Sequence, residues 1–197
     1  NLVINGRMEE GRIVVKDGEP VLVFPVDKPG EYRYLSNEES VGWKNAADNR
    51  VEYQMIRGNT VLELDVDNKV DEIYQMLPTI KDRVYKVSFD AMMRKSTATS
   101  IVEVWWNGKM VGKFGPGADW STYSVDVIGT GGRDRLSFKE EAGGNNNEGA
   151  YLDNVIVAPK NGEPELYVLT GNDNDNDYTD LTMFPEYIDG KGGNDVF

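Results

Sequence analysis

Carboxylate and amide oxygens are the side-chain groups in this sequence that are best suited to chemistry. Asp65, Asp67 and Asp71 occur close together, and a glycine-rich stretch further along ends with Asn147 and Glu148. Because the chain contains neither cysteine nor histidine, thiolate and imidazole ligands and the nucleophiles built on them are excluded. Hard oxygen ligands select Ca²⁺ or Mg²⁺. We therefore predict calcium at both segments, and a plain acidic surface loop is the alternative for each.

The charge of the chain limits its partners. There are 34 acidic and 21 basic residues, which give a net charge of −13 over 197 residues. Such a field repels nucleic acid and anionic lipid and attracts cations. No apolar run reaches the roughly 18 residues that a membrane-spanning helix needs. The sequence therefore predicts no nucleic-acid partner and no membrane insertion by this chain, which begins at Asn1 and is expected to be part of a longer protein.

Short apolar runs separated by turn signals indicate an all-β fold. Turn dipeptides such as Asn5-Gly6 and Asp17-Gly18 recur at short intervals, and β-branched and aromatic residues are frequent between them. A weak helical period falls in Val70–Leu77. Many short strands of this kind favour a β-sandwich or jelly roll. The strands that we predict are Gly11–Val15, Val21–Val26, Val61–Leu64, Val84–Met92, Ile101–Trp106, Thr122–Val127, Arg135–Phe138, Tyr151–Val157 and Leu166–Leu169.

Two of these strands indicate which side chains face outward. Side chains alternate between the two faces of a strand, so the apolar alternates of Val84–Met92 and Ile101–Trp106 are predicted to face the core. If the two strands are neighbours, the polar alternates share one outward surface that is suited to gripping a polar ligand. The predicted ligand-binding residues on this surface are Asp90, Arg94, Glu103 and Trp105. A solvated sheet face with cross-strand charge pairs is the alternative.

The C-terminal residues carry the most specific local motif. Residues 190–197 have the sequence GKGGNDVF, which resembles the nonapeptide repeat of RTX proteins with Lys191 in place of the second glycine. The resemblance implies the first turn of a parallel β-roll, in which Asp189 and Asp195 contribute oxygens to a calcium ion. Because each calcium ion in such a roll is shared between successive turns, one repeat alone does not complete the site. A glycine-rich loop is the alternative.

Residues 1–158 resemble the galactose-binding-like jelly rolls, a group that includes many carbohydrate-binding modules. The resemblance rests chiefly on Asn1–Glu9 and Ala150–Val157, which match the opening and closing strands of that fold. It implies a jelly-roll β-sandwich. In that family a structural calcium ion commonly ties the first strand to the last, and Glu9 and Asp153 are the carboxylates that would hold it here. The alternative is that Glu9 caps a turn and Asp153 anchors a bulge.

The order of the two parts narrows the resemblance. A jelly roll in residues 1–160, followed by a linker strand and a truncated repeat in residues 161–197, is similar to the ligand-binding end of a large bacterial RTX adhesin. That resemblance implies type I secretion, an extracellular position on the bacterial cell surface and neighbouring domains of the same adhesin. It also implies calcium-dependent binding of a cell-surface peptide or protein C-terminus, used for attachment and biofilm formation.

A lectin-like module on the same fold is the alternative function. Its ligand would be a glycan, and Trp105 or Trp43 would serve as the stacking platform. The amides of Asn45 and Gln54 would supply hydrogen bonds to sugar hydroxyl groups.

An enzyme and a spacer are the remaining classes. A glycosidase would need paired carboxylates such as Asp90 and Glu103, but nothing in the sequence marks either residue as an acid with a raised pKa. We therefore predict no enzyme activity. A purely structural spacer would show no saturable binding to any ligand.

Overall fold

The computed structural model describes residues 1–26, 28–64, 71–95, 100–141 and 149–161, together with the backbone of residues 167–170 and 186–189. It divides the chain into two units, Asn1–Ala158 and Pro159–Phe197, whereas the sequence places the boundary after residue 160. Part of the predicted calcium-binding set stays a prediction, because it lies outside the described residues. That part consists of Asp65, Asp67, Asn147, Glu148, Asp195 and the side chain of Asp189.

The first unit is an all-β jelly-roll sandwich, as predicted. Its strands are β1 (Arg12–Lys16), β2 (Glu19–Val23), β3 (Tyr32–Ser36), β4 (Lys44–Asn45), β5 (Arg50–Ile56), β6 (Asn59–Glu63), β7 (Glu72–Pro78), β8 (Val84–Met93), β9 (Val102–Trp106), β10 (Lys109–Phe114), β11 (Ser121–Ile128), β12 (Arg133–Glu140) and β13 (Ala150–Pro159). A five-stranded sheet has the order β10-β9-β12-β7-β4, and a six-stranded sheet has the order β11-β8-β13-β6-β5-β3. The hairpin β1–β2 forms a sheet of its own.

The core lies between the two large sheets because their strands alternate apolar and polar residues. In β8, Val87, Phe89 and Ala91 are fully buried, whereas the residues between them are partly exposed. The ring of Phe89 packs edge-on against Phe138 of β12, with 5.0 Å between the ring centroids. Burial of one large apolar side chain contributes about 1.5–3 kcal/mol. The predicted inward faces of β8 and β9 are confirmed.

The segment with a weak helical period is a strand. β7 alternates buried and partly exposed residues, and Ile73 and Leu77 are buried on its inner face. β7 pairs with β12 along its whole length and with β4 on its other edge. The weak helical period does not produce a helix, because apolar residues four apart fit both periods and the pairing with two neighbouring strands decides between them.

The first residues of the chain are joined to the last strand of the sandwich without forming a strand themselves. The backbone N–H of Leu2 donates to the carbonyl oxygen of Val157 at 2.8 Å, and the N–H of Val155 donates to Gly6 at 2.9 Å. The side-chain oxygen of Asn1 also accepts a hydrogen bond from the N–H of Val157. The predicted contact between opening and closing segments is therefore present, although residues 1–9 run through turns.

The second unit contributes one described pair of strands. β14 (Tyr167–Thr170) and β15 (Glu186–Asp189) are parallel, with Tyr167 opposite Glu186. The strand predicted at Leu166–Leu169 overlaps β14, and Leu166 lies outside the described residues. In the described part of the chain there is no helix that is long and apolar enough to cross a membrane.

Candidate ligand-binding site

The single outward surface predicted from β8 and β9 does not exist. These strands belong to different sheets. Asp90 lies on the outer face of the six-stranded sheet, and Arg94 follows the end of the same strand, whereas Glu103 and Trp105 lie on the outer face of the five-stranded sheet on the opposite side of the sandwich. The prediction is wrong because the chain passes from one sheet to the other between β8 and β9, as jelly-roll connections do.

The outer face of the five-stranded sheet is covered by cross-strand charge pairs. The ammonium group of Lys139 lies 4.3 Å from the centroid of the Trp105 ring, and the indole N–H donates to Glu103 at 3.1 Å. Glu72 accepts ion pairs from both Arg135 and Lys139. One face of the Trp105 ring is therefore occupied by a cation, and this sheet matches the alternative of a solvated face with charge pairs.

Trp43 is not available to stack on a ligand. Its side chain is fully buried, its ring packs 6.0 Å from that of Phe138, and its N–H donates to the backbone oxygen of Asn5 at 3.0 Å. The amides of Asn45 and Gln54 are buried as well. The prediction that these groups contact a sugar is wrong, because packing and internal hydrogen bonds use them instead.

A cleft of about 410 Å³ lies on the outer face of the six-stranded sheet. Its volume is within the usual range for small-ligand sites. Its walls come from the β5–β6 turn, the end of β8 and the segment that precedes β11. The residues that line it are Ile56, Arg57, Asn59, Met92, Met93, Arg94, Ala118, Asp119 and Trp120. We call this the outer-face cleft.

The outer-face cleft offers functional groups that the sequence did not single out. Trp120 is 39% exposed although it is a large aromatic residue, and Asp119 beside it is exposed. Arg57 lies on the other wall, in the turn between β5 and β6. The sequence signal for Trp120 was the loop Gly115–Gly117 with its central proline. A tryptophan three residues after such a loop is expected to belong to the loop and not to the core.

A buried polar network lies beneath the outer-face cleft. Glu63 of β6 is fully buried and stands opposite Glu52 of β5, which is also buried. The amide nitrogen of Gln54 donates to both carboxyl groups, and the hydroxyl of Tyr151 donates to the amide oxygen of Gln54 at 2.9 Å. Arg94 reaches this network from the cleft, with 2.6 Å between its Nη1 and Oε1 of Glu63. The network therefore fixes the guanidinium group of Arg94 at the cleft wall.

The protonation of this network follows from its burial. Burial first, and the neighbouring carboxyl of Glu52 second, raise the pKa of Glu63 to about 9 against the opposing effect of Arg94. Two adjacent buried carboxyl groups resist carrying two charges. Burial therefore keeps the proton on Glu63 up to a higher pH than on an ordinary glutamate.

A second row of polar groups crosses the same sheet face beside Asn59. The amide of Asn59 donates to Asp153 at 2.7 Å, while Asp90 accepts hydrogen bonds from Thr122 and Asn154. Burial raises the pKa of Asp153, and the negative charges of Asp90 and Glu9 add to that effect. The two carboxylates predicted to share a structural calcium ion are thus electrostatic neighbours.

The remaining predicted calcium ligand in the described part of the chain is Asp71. Its carboxylate is buried and accepts a hydrogen bond from the amide of Asn45 at 2.8 Å. Among the described residues, no three acidic side chains gather closely enough to form a metal site by themselves. Calcium binding by Glu9, Asp153 and Asp71 stays a prediction.

No family model and no characterised protein sequence matches the chain. Similar solved structures are carbohydrate-binding modules. The CBM22-1 xylan-binding domain of Paenibacillus barcinonensis Xyn10C shares 15% identity over 68% of this chain and 97% of that domain, with a TM-score of 0.49. A family 35 module of Clostridium thermocellum shares 12% identity over 66% and 99%, with a TM-score of 0.46. CBM29_1 of Piromyces equi shares 16% over 64% and 89%, with a TM-score of 0.43. At these values no residue role is carried over from them.

Proposed function

We propose that this chain is a non-catalytic binding module that takes a carbohydrate in the outer-face cleft. The observation that carries the proposal is the exposed indole of Trp120 at a cleft of about 410 Å³. An aromatic ring covers the apolar face of a sugar, and polar side chains at its edge bind the hydroxyl groups. Asn59, Asp119 and Arg57 are placed on the walls to do so.

Peptide recognition is the second candidate function, and the apolar part of the same cleft favours it. Met92, Met93 and Ile56 line the cleft beside Arg94. Methionine side chains adapt to varied apolar surfaces, and proteins that bind diverse peptides use them for this reason. A peptide with a free C-terminus, held with the help of calcium, is the ligand that the resemblance to RTX adhesins implies.

The wider biological role belongs to the same proposal. A calcium-dependent module of a secreted bacterial adhesin would act on the cell surface, in attachment to host or neighbouring cells and in biofilm formation. The net charge of −13 supports a role for cations. The repeat-like residues that suggest the adhesin lie outside the described part of the chain.

One comparison separates the two ligand classes. The chain is tested against a glycan array and a library of peptides with free C-termini, each with calcium and with EGTA. Saturable binding to a glycan and none to peptides supports the first candidate, while the reverse result supports the second. Absence of saturable binding in both formats rejects the proposed function and leaves the structural spacer.

The first prediction concerns the exposed indole. We expect Trp120→Ala to weaken binding of the glycan identified on the array roughly 10-fold or more, because a buried aromatic contact at a binding site contributes about 1.4 kcal/mol or more to the free energy of binding. The melting temperature should change little, since the ring packs in a loop. Trp105→Ala on the opposite sheet is the matched control and should bind normally. Equal affinity of both variants would contradict the assignment of the cleft.

The second prediction concerns calcium. We expect excess EGTA to lower the melting temperature, because Asp90 and Glu9 each repel the carboxylate of Asp153 when no cation lies near it. An ion present at a thousandfold above its dissociation constant adds about 4 kcal/mol to the free energy of unfolding. Magnesium should restore the loss poorly, since it keeps its water ligands and requires an octahedral shell. An unchanged melting curve in EGTA would reject a structural calcium ion.

A further inference from the structure

The hairpin β1–β2 lies beside β3, and a groove of about 420 Å³ lies between them. β2 and β3 each contribute three consecutive residues to the walls of this groove. These residues are Val21, Leu22 and Val23 of β2, and Arg33, Tyr34 and Leu35 of β3. Because side chains alternate between the two faces of a strand, three consecutive residues line one groove only where the edge of their strand borders it. We call this space between β2 and β3 the edge groove.

Side chains, and not a backbone ladder, connect the two walls of the edge groove. β2 and β3 belong to different sheets, and β3 is the last strand of the six-stranded sheet. The ammonium group of Lys16 lies 2.6 Å from the carboxylate of Glu39 near one end of the groove. Near the other end, the guanidinium group of Arg33 donates to the carbonyl oxygen of Phe24 at 2.8 Å. Two edge strands therefore border the same gap.

The register of the hairpin determines which backbone groups of β2 point into the edge groove. Lys16 and Glu19 flank the two-residue turn Asp17-Gly18 and are directly paired. Residues that flank such a turn exchange both of their backbone hydrogen bonds, and pairs with and without these bonds alternate along the ladder. Leu22, three residues after Glu19, therefore pairs with Ile13 without backbone hydrogen bonds. Its N–H and C=O point away from β1, at the edge that borders the groove.

The groups that line the edge groove suit one further strand. The N–H and C=O groups of a strand edge are a template for the backbone of another extended chain. A strand residue fills roughly 160 Å³, so the groove has room for about three of them. Of the apolar residues that line it, Val23 and Leu35 are buried, whereas Val21 and Leu22 are exposed. An extended peptide would find both backbone partners and apolar contacts there.

The charge at one end of the groove indicates which peptide fits. Arg33 is exposed, and its partner Phe24 supplies a neutral carbonyl oxygen. In the part of the chain that the structure describes, no carboxylate forms an ion pair with Arg33. Lys16, the other cation of the groove, is already paired with Glu39. Arg33 is therefore the group that can bind a carboxylate of the peptide through charge-assisted hydrogen bonds.

We propose that the edge groove is a second binding site, which takes an extended peptide segment by strand addition. The segment lies between β2 and β3, pairs its backbone with both strand edges and so joins the hairpin to the six-stranded sheet. An acidic side chain at one end of the segment binds Arg33, and alternate apolar side chains contact Val21 and Leu22. No residue lines both this groove and the outer-face cleft, so the inference goes beyond the proposed function and does not depend on it.

Two proline variants of one residue pair test the strand addition. The probe is an array of hexapeptides that are acetylated and amidated, so that terminal charges play no part. Leu22→Pro removes the N–H that faces the groove, and Ile13→Pro makes the same change on the opposite edge of the hairpin. Neither N–H belongs to the β1–β2 ladder, so both variants should melt alike. We expect Leu22→Pro to bind the peptides roughly 10-fold or more weakly and Ile13→Pro to bind them normally.

Changes to the peptide give a measurement that does not depend on the folding of a variant. Methylation of every second backbone nitrogen removes the N–H groups along one edge of an extended peptide. A strand inserted between two others uses both edges, so either set of methyl groups should weaken binding roughly 10-fold. Equal affinity of methylated and unmethylated peptides overturns strand addition. An effect of one set alone overturns insertion between β2 and β3.

A glutamine variant tests the role of the charge. We expect the wild type to prefer a peptide with glutamate to the same peptide with glutamine by roughly 10-fold, which corresponds to about 1.4 kcal/mol. Arg33→Gln keeps a donor for the carbonyl of Phe24 and should bind both peptides alike. Arg12→Gln is the matched control, since Arg12 also donates to a backbone carbonyl oxygen, that of Glu38, and does not line the groove.

The remaining outcomes identify another occupant or another site. If the array shows no binding, the inference is overturned. If the chain instead dimerises in sedimentation, and Leu22→Pro but not Ile13→Pro restores the monomer, a second copy occupies the groove and the peptide is rejected. If Trp120→Ala and not Leu22→Pro weakens the peptides, they bind in the outer-face cleft. Glycan binding is measured on the same variants and should be unchanged by Leu22→Pro, so the carbohydrate function is tested separately.

Discussion

Replacement of Glu63 by glutamine is expected to remove a loss of stability that the wild type shows as the pH rises from 5 to 9. Glu63 is fully buried beside Glu52, and burial raises its pKa to about 9 from the ordinary value of 4.5. Between these two values the unfolded chain has released the proton that the folded chain keeps, so a rise in pH favours unfolding. The stability that protonated Glu63 gives to the folded protein is fully present below pH 4.5 and is lost progressively as the pH approaches 9.

The glutamine variant removes this dependence. Its side chain has no proton to lose, so the melting temperature of the variant should rise relative to the wild type as the pH is raised from 5 to 9. A constant offset is expected as well, because the amide of the variant meets the N–H donors of Gln54 and Arg94. Each pH unit between the two pKa values changes the free energy of unfolding by about 1.4 kcal/mol. Melting curves of both proteins from pH 5 to pH 9 measure how the difference between them changes with pH.

The control is Glu72, a carboxylate whose pKa is lowered by its surroundings and not raised. Burial alone would raise the pKa of Glu72, but Lys139, Ser137 and Arg135 outweigh it and hold the pKa below its usual value. Glu72→Gln should therefore lower the melting temperature at pH 7, and its difference from the wild type should shrink as the pH falls through the pKa of Glu72. If Glu63→Gln instead behaves like this control, Glu63 is ionised in the folded protein and is held by Arg94.

The fold was predictable because the strands alternate cleanly. β8 and β9 carry apolar residues at every second position, and their inward faces follow from that period alone. β7 could not be assigned in this way, since Ile73 and Leu77 satisfy a helical period as well as a strand period. Its state is fixed by two neighbouring strands, which are distant in sequence.

The candidate site was less predictable because it depends on which strands share a sheet. Asp90 and Glu103 were expected on one surface, and the crossing between sheets puts them on opposite sides. Trp43 and Trp120 have the same side chain, yet one is fully buried and the other is 39% exposed. Arg57 does not resemble a turn residue, so the turn signals pointed to dipeptides such as Asn5-Gly6 and Asp17-Gly18 instead.

Replacement of Asp134 by alanine is expected to destabilise the protein strongly. Asp134 of β12 is buried and accepts four hydrogen bonds. They come from the hydroxyl of Thr79 at 2.6 Å, the N–H of Thr130 at 2.8 Å, the hydroxyl of Thr130, and the amide of Asn107 at 2.8 Å. Burial alone would raise the pKa of Asp134, but these donors outweigh it and keep the pKa below its usual value.

The size of the loss follows from the donors that the alanine would leave unpaired. Each unsatisfied buried group costs about 1–3 kcal/mol, so the variant should lose about 3 kcal/mol or more and melt roughly 6–12 °C lower. Asp134→Asn should be nearly as unstable, because its NH₂ group would face donors. Asp17→Asn makes the same charge change at an exposed turn and should melt like the wild type.

The pH dependence gives a second measurement of the same network. The pKa of Asp134 is lower in the folded protein than in the unfolded chain, where it is near 3.8. Its contribution to the free energy of unfolding is therefore fully present above pH 3.8 and is lost as the pH falls through the pKa of the folded state. The gap between the wild type and Asp134→Asn should therefore be constant from pH 5 to pH 8 and narrow only in strong acid. If Asp134→Asn melts like the wild type at neutral pH, the four donors do not depend on a carboxylate, and the turn that joins β11 to β12 is held by other contacts.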